Sequence, residues 1–163
     1  MSETTARPPV AGEMAPDFTL ASTTGQMVTL SELRGKYIVL LAFFPLAFTS
    51  TCTAEVCSFS EDFDQFTDKG VLVLPISVDA VPSLREYKKA YSLKVELLSD
   101  FKREASRAYG TLREDSFYSS RAYFLIDKSG VVRWAHIETK SGQRRENAEI
   151  FKYIDGLANL DAI

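Results

Sequence analysis

Two cysteines, Cys52 and Cys57, are the only thiols of this chain, and both lie in the stretch Phe43-Phe44-Pro45-Leu46-Ala47-Phe48-Thr49-Ser50-Thr51-Cys52-Thr53-Ala54-Glu55-Val56-Cys57. The apolar run from Tyr37 to Phe44 reads as a buried strand, Pro45 stops it, and helical spacing follows from Glu55 to Phe66. Cys52 is therefore expected in the first turn of a helix. There, unpaired backbone N–H groups and the positive end of the helix dipole favour a thiolate, and cysteine pKa values fall well below about 8.5. The chemistry this predicts is nucleophilic attack by sulfur.

Cys57 adds a constraint. Residues five apart in an ideal helix are rotated by about 140° and raised by about 7.5 Å, which places their Cα atoms roughly 8.6 Å apart. A disulfide needs them within about 7 Å. Pairing of Cys52 with Cys57 would thus require the first turns to unwind, and Ser50, Thr51 and Thr53, as modest helix formers, keep that opening inexpensive.

The elements that must position these residues are visible in the hydrophobic pattern. Asp17-Phe18-Thr19-Leu20 and Met27-Val28-Thr29-Leu30 flank Thr24-Gly25 as a hairpin, and Ser31-Glu32-Leu33 turns into Gly35. Tyr37 to Phe44, Val71 to Val78 and Ala122 to Asp127 are almost continuously apolar, as strands covered on both faces must be. Helix-like spacing over Glu61 to Lys69, Ser83 to Ser92 and Asp100 to Tyr109 alternates with them, so parallel crossovers are expected. Asp127-Lys128-Ser129-Gly130 joins a final antiparallel hairpin to Val131–Ile137, and Asn147 to Leu160 closes the chain as an amphipathic helix. The fold class is α/β, a central mixed sheet flanked by helices.

Composition narrows the function. At 163 residues, the chain is long enough to bury roughly two thirds of its unfolded surface without a disulfide or metal. We read residues 1–11 as a flexible N-terminal tail and 12–163 as a single domain. An apolar fraction of 45 % argues against disorder, and a net charge of −3 gives no general attraction for nucleic acid or anionic lipid. No run approaches the roughly 20 apolar residues of a membrane span. Two cysteines are too few for a secreted disulfide framework, which points to the cytoplasm and to redox use of the pair. A structural zinc site wants four Cys or His ligands, whereas the chain has two cysteines and the single His136, so no metal is expected.

Pro45, Thr49 and Cys52 form the pattern PxxxTxxC, which resembles the active-site signature of the peroxiredoxins, thioredoxin-fold enzymes that reduce hydroperoxides with a cysteine. Ala15-Pro16-Asp17-Phe18-Thr19-Leu20 is similar to the family's N-terminal strand, Ile76-Ser77-Val78-Asp79 to the strand after the peroxidatic helix, and Arg121 occupies the place of its active-site arginine. Pro-Leu-Ala-Phe-Thr resembles the one-cysteine AhpE-type branch, while the CxxxxC spacing resembles the PrxQ, or bacterioferritin-comigratory-protein, branch. The chain departs from PrxQ at Ser50, Thr51 and Ser60.

The resemblance implies a thioredoxin-like fold, no bound cofactor, a hydroperoxide substrate and a thioredoxin-like or low-molecular-weight thiol reductant. Cys52 would attack the peroxide and become a sulfenic acid, and Cys57 would resolve it as an intramolecular disulfide. Thr49 would aim its hydroxyl at the sulfur or the peroxide, with a helix cap as the alternative. Arg121 would supply a fixed positive charge, with a purely structural ion pair as the alternative. Pro45 would wall one side of the sulfur. Glu55 is read as a supporting polar-network residue or as a first-turn acid complementing the helix dipole. Cys57 has a second reading too, a core thiol in a one-cysteine enzyme served by an outside thiol. His136 is read as a sheet residue, and Phe117, Tyr118 and Tyr123 as packing or as the lining of a pocket for organic peroxides. Monomer and homodimer are both compatible with the sequence. The rivals are a redox sensor or chaperone-like protein and a thioredoxin-like disulfide oxidoreductase, which normally uses the shorter CxxC spacing.

Overall fold

Each of the six residues of the strand Ile38–Phe43 (β3) is buried, and their side chains divide between two separate hydrophobic cores. Ile38, Leu40 and Ala42 point to one face and Val39, Leu41 and Phe43 to the other, the period of two that a strand imposes. A continuous apolar run is stable in such a strand only because helices cover both faces. The computed structural model describes residues 6–161.

β3 lies in a seven-stranded sheet with Thr19–Ser22 (β1), Met27–Thr29 (β2), Val71–Ser77 (β4), Leu98–Ser99 (β5), Ala122–Ile126 (β8) and Val132–Ile137 (β9), in the order β2-β1-β5-β4-β3-β8-β9. β3, β4 and β5 run parallel, while β8 and β9 on one side and β1 and β2 on the other are antiparallel. Leu112–Arg113 (β6) and Tyr118–Ser119 (β7) make a separate small ribbon. The helices are Ser50–Glu61 (α1), Phe63–Asp68 (α2), Val81–Ala90 (α3), Glu104–Ala108 (α4) and Asn147–Asp161 (α5). The first core joins Val56 and Phe59 of α1, Leu84 and Tyr87 of α3 and Ile150 and Ile154 of α5; the second joins Phe18, Leu30, Ala105 and Tyr109. This is the mixed α/β sandwich expected from the alternation of strands and helices.

Two boundaries differ from expectation because a side chain captured backbone groups, and one helical run is divided. The first strand begins at Thr19 rather than Asp17, since the Asp17 carboxylate accepts the N–H groups of Phe18 and Ser31 at 3.0 and 2.9 Å. The helix expected over Asp100–Tyr109 is confined to α4. Asp100 instead accepts the N–H groups of Ala105 and Ser106 at 3.0 and 2.8 Å, while Arg103 turns left-handed with φ 64°. The single helical run expected from Glu55 to Phe66 is split at Asp62 into α1 and α2.

Of the segment read as a tail, residues 1–5 lie outside the described residues. From Ala6 onward the chain lies along the body. Ala6 N–H donates to the Arg107 carbonyl at 2.9 Å, Arg7 pairs with Glu13 at 2.7 Å, and Pro9 is buried. This path depends on Gly110, whose φ is 68° and where a Cβ would lie 2.5 Å from the Ala6 carbonyl oxygen.

Candidate active site

The register of the sheet decides which residues meet. Phe43, the last residue of β3, pairs with Ala122 of antiparallel β8, so the residues just beyond, Phe44-Pro45 and Arg121, emerge at the same end of the sheet. The Arg121 carbonyl accepts the Glu138 N–H at 2.9 Å, which extends the β8–β9 pairing by one residue and holds the arginine backbone there.

After Phe44, the buried Pro45 turns the chain away from the sheet. The Asp79 carboxylate then anchors the loop: it accepts the Ala47 N–H at 2.8 Å and the Ser77 hydroxyl at 2.7 Å. Phe48 takes a left-handed φ of 68° and packs its ring 4.8 Å from Tyr87. Thr49 is the N-cap residue of α1, and Cys52 follows in the first turn, 1 % exposed, with its side chain against the first core. The position expected for Cys52 is therefore the one observed.

Arg121 is 2 % exposed, and its donors are distributed over four acceptors. Nη2 donates to Cys52 Sγ at 3.3 Å and to the Ser141 carbonyl at 3.0 Å, Nε donates to the Gln143 carbonyl at 3.0 Å, and Nη1 donates to Glu55 Oε1 at 3.1 Å. Arg121 thus contacts the Cys52 sulfur and pairs with a buried acid at the same time. Burial opposes its charge, but the Glu55 carboxylate and the Cys52 sulfur outweigh that, and its pKa lies above the ordinary arginine value.

Glu55 is wholly buried and belongs to the polar network; it lies beyond the first turn of α1, so the dipole reading does not apply. Its second oxygen accepts the Tyr123 hydroxyl. Burial pushes the carboxyl above its usual range, against the opposing pull of Arg121 and Tyr123. The Tyr123 oxygen accepts the Arg145 N–H at 2.8 Å, and the Arg145 side chain donates to buried Glu138 at 2.6 Å.

Thr49 does not cap the helix with its side chain. Its hydroxyl donates to the Leu46 carbonyl at 2.7 Å instead. That commits the only hydroxyl proton and leaves the oxygen lone pairs as acceptors at a cavity of about 220 Å³. Pro45, Thr49, Cys52, Tyr118 and Arg121 line this cavity, which brings four of the predicted site residues together. It has room for a small molecule bearing an O–O bond, with the sulfur and a guanidinium donor at its wall.

Cys57 is absent from this lining. It is a free thiol, half-buried at the edge of the first core within the unbroken helix α1. Burial pushes its pKa up, and the neighbouring Glu61 carboxylate adds to the effect. His136 sits on β9 opposite Tyr123, stacked on Trp134 at 6.3 Å, as a sheet residue. Among the described residues, no group of three or more His, Cys, Asp or Glu side chains is placed to hold a metal, and no helix is long and apolar enough to cross a membrane.

Sequence reading missed the Ser141 and Gln143 carbonyls, because backbone acceptors carry no residue signature. It also left Tyr123 among the packing residues. The available signal was a hydroxyl inside the otherwise apolar run Ala122 to Ile126, where a buried phenol must find a partner.

Residues 11–135 match the profile of the AhpC/TSA family. The chain is 35 % identical over 153 residues to alkyl hydroperoxide reductase E of Mycobacterium tuberculosis, covering 93 % of this chain and 97 % of that one. It is 36 % identical over 127 residues to a putative peroxiredoxin, bcp, of Coxiella burnetii, covering 74 % and 83 %. The reduced 2-Cys peroxiredoxin of Plasmodium vivax superposes with a TM-score of 0.87 at 31 % identity, over 95 % of this chain and 85 % of that one.

Proposed function

The chain belongs to the AhpC/TSA family and is a peroxiredoxin with a thioredoxin-like fold; from that premise we propose that Cys52 is the peroxidatic sulfur, reducing hydrogen peroxide and organic hydroperoxides. The observation that carries the assignment is the 3.3 Å contact between Arg121 Nη2 and Cys52 Sγ at the cavity wall. An arginine cannot lose its proton near neutral pH, so it holds an ionised sulfur without competing as a base.

The thiolate attacks one peroxide oxygen along the O–O axis. An S–O bond forms, the O–O bond breaks, and its electron pair leaves on the second oxygen, which takes a proton to become water or an alcohol. Cysteine is oxidised by two electrons to the sulfenic acid. Negative charge moves from sulfur to the departing oxygen, and Arg121 stabilises it wherever it resides. The Thr49 oxygen, its own proton committed to Leu46, accepts the hydrogen of the bound hydroperoxide. Pro45 offers no N–H and closes one side against water.

The sulfenic acid then condenses with the Cys57 thiol, releasing water and forming a disulfide that a thioredoxin-like dithiol in the cytoplasm reduces. α1 must unwind for this, because in the helical state the two Cα atoms are too far apart. The second reading is a one-cysteine cycle in which an outside thiol attacks the sulfenic acid. What supports that second branch is the position of Cys57 in an unbroken helix, outside the cavity and with a raised pKa.

One equivalent of hydrogen peroxide followed by intact-mass measurement, with a sulfenic-acid trap and thiol blocking, tests all three statements. Loss of two hydrogens in a monomeric species with both thiols gone supports resolution by Cys57. A trapped sulfenate on Cys52 with Cys57 free supports the one-cysteine cycle. An unoxidised Cys52 defeats the peroxidase reading.

A further inference from the structure

β8 reads Ala122-Tyr123-Phe124-Leu125-Ile126, and all five residues are buried. Tyr123 carries the only polar side chain in it. A buried hydroxyl without a partner costs free energy, yet this one is satisfied twice, and both partners lead to the site. Its O–H donates to Glu55 Oε2, and its oxygen accepts the Arg145 N–H at 2.8 Å. Glu55 Oε1 accepts from Arg121, and Arg121 donates to Cys52 Sγ. A continuous hydrogen-bonded path therefore runs from the loop before α5, through β8 and α1, to the sulfur.

We propose that Tyr123 is a positioning residue for the peroxidase reaction: its phenol holds the Glu55 carboxylate ionised and oriented, and Glu55 in turn holds the Arg121 guanidinium on Cys52. The inference rests on the peroxidase reading above. The Gln143 and Ser141 carbonyls hold the Nε and Nη2 positions of Arg121 and leave Nη1 to Glu55. The Glu55 pair supplies the remaining restraint. The only side-chain hydrogen bonds Glu55 accepts among the described residues come from Arg121 and Tyr123, so loss of the phenol leaves one of its buried oxygens without a donor.

The charged and titratable groups around Glu55 are Cys52 on its own helix, Arg121 just before β8 and Tyr123 within it, and Arg144 and Arg145 from the loop between β9 and α5, Arg145 being held by Glu138. Tyr87 of α3 reaches α1 through Thr53. In this set Glu55 and the Cys52 thiolate share the charge of Arg121. A neutral Glu55 would release that charge to the sulfur while loosening the guanidinium.

The test compares the wild type, Tyr123→Phe, Glu55→Gln and the double variant in stopped-flow oxidation by hydrogen peroxide across pH. In Y123F the plateau rate constant falls about tenfold, the effect of losing one hydrogen bond to a charged group. At the same time the pH midpoint moves to lower pH. In the Glu55→Gln background, Tyr123→Phe changes neither quantity, because the acid it acts through is already neutral. A merely structural role would lower the active fraction and leave the midpoint in place. Unchanged plateau and midpoint in folded Y123F, or the same change with and without Glu55, would overturn the proposal. If the Phe variant does not fold, p-fluorophenylalanine at 123 fills the volume of the phenol without donating and carries the same expectations. A wild type whose Cys52 resists peroxide would instead sink the peroxidase reading, an outcome separate from these.

Discussion

Arg121 Nη1 and Glu55 Oε1 meet 3.1 Å apart with each side chain only 1 % exposed, which makes the arginine on the Cys52 sulfur half of a buried ion pair. Such a pair is costly to break from one side, because the remaining charge stays desolvated. Glu55→Ala is expected to destabilise the fold by about 3–5 kcal/mol. Urea unfolding measures it, and Arg121→Met combined with Glu55→Ala should cost less than the sum of the two single changes. Additive costs would show that the two charges are not coupled.

Arg121→Lys keeps the charge but cannot reproduce the fork. A lysine ammonium has no planar set of donors for the sulfur, Glu55 and two carbonyls at once. The rate of Cys52 oxidation should fall by about 10²-fold, as for loss of a preorganised donor. Rapid-mixing kinetics with hydrogen peroxide, followed through the single Trp134 stacked 5.8 Å from Tyr123, gives the rate directly.

Thr49 tests the acceptor role of a hydroxyl whose proton is already donated to Leu46. Thr49→Val preserves the shape and removes the oxygen, and about a 10²-fold loss in peroxide reactivity is expected. Thr49→Ser should remain within a few-fold of the wild type. Equal losses in both variants would mean that the methyl group, through packing, is what matters.

Cys57 supplies the pH prediction. Burial and the Glu61 carboxylate both disfavour its thiolate, so the thiol persists to higher pH than in an unfolded chain. In Cys52→Ser, alkylation of Cys57 by iodoacetamide should begin only above the ordinary thiol range near pH 8.5. Glu61→Gln should bring the onset down. An onset at or below the ordinary value would show that α1 opens readily enough to expose this thiol.

Gly110 tests the seat of the N-terminal segment. A Cβ at this position meets the Ala6 carbonyl at 2.5 Å and Pro8 at 2.6 Å, and φ is 68°. Gly110→Ala should cost about 1 kcal/mol or more from backbone strain alone, and should release residues 6–8. Faster hydrogen exchange at the Ala6 amide, which donates to the Arg107 carbonyl, would report it.

Much of this was written in local sequence. The continuous apolar run of β3, the stop at Pro45 and the helical spacing beyond it place Cys52 in the first turn of α1 with no reference to the rest of the chain. The mixed α/β order followed from the same kind of local pattern. Strand and helix starts were less legible wherever a carboxylate competed for backbone N–H groups, as at Asp17 and Asp100. That competition is settled by groups up to fourteen residues away, which no window of local propensity contains.

The tertiary structure alone decided the company that Cys52 keeps. Arg121 lies 69 residues beyond it in sequence and arrives through the antiparallel register of β3 with β8. The same register places Tyr123 where it donates to Glu55, and the β8–β9 pairing leads the chain back so that the Ser141 and Gln143 carbonyls meet the guanidinium. Residue type and spacing can state that a thiolate is wanted. Only long-range strand pairing, which fixes where side chains far apart in sequence emerge at one sheet end, determines which charge and which hydrogen bonds hold it.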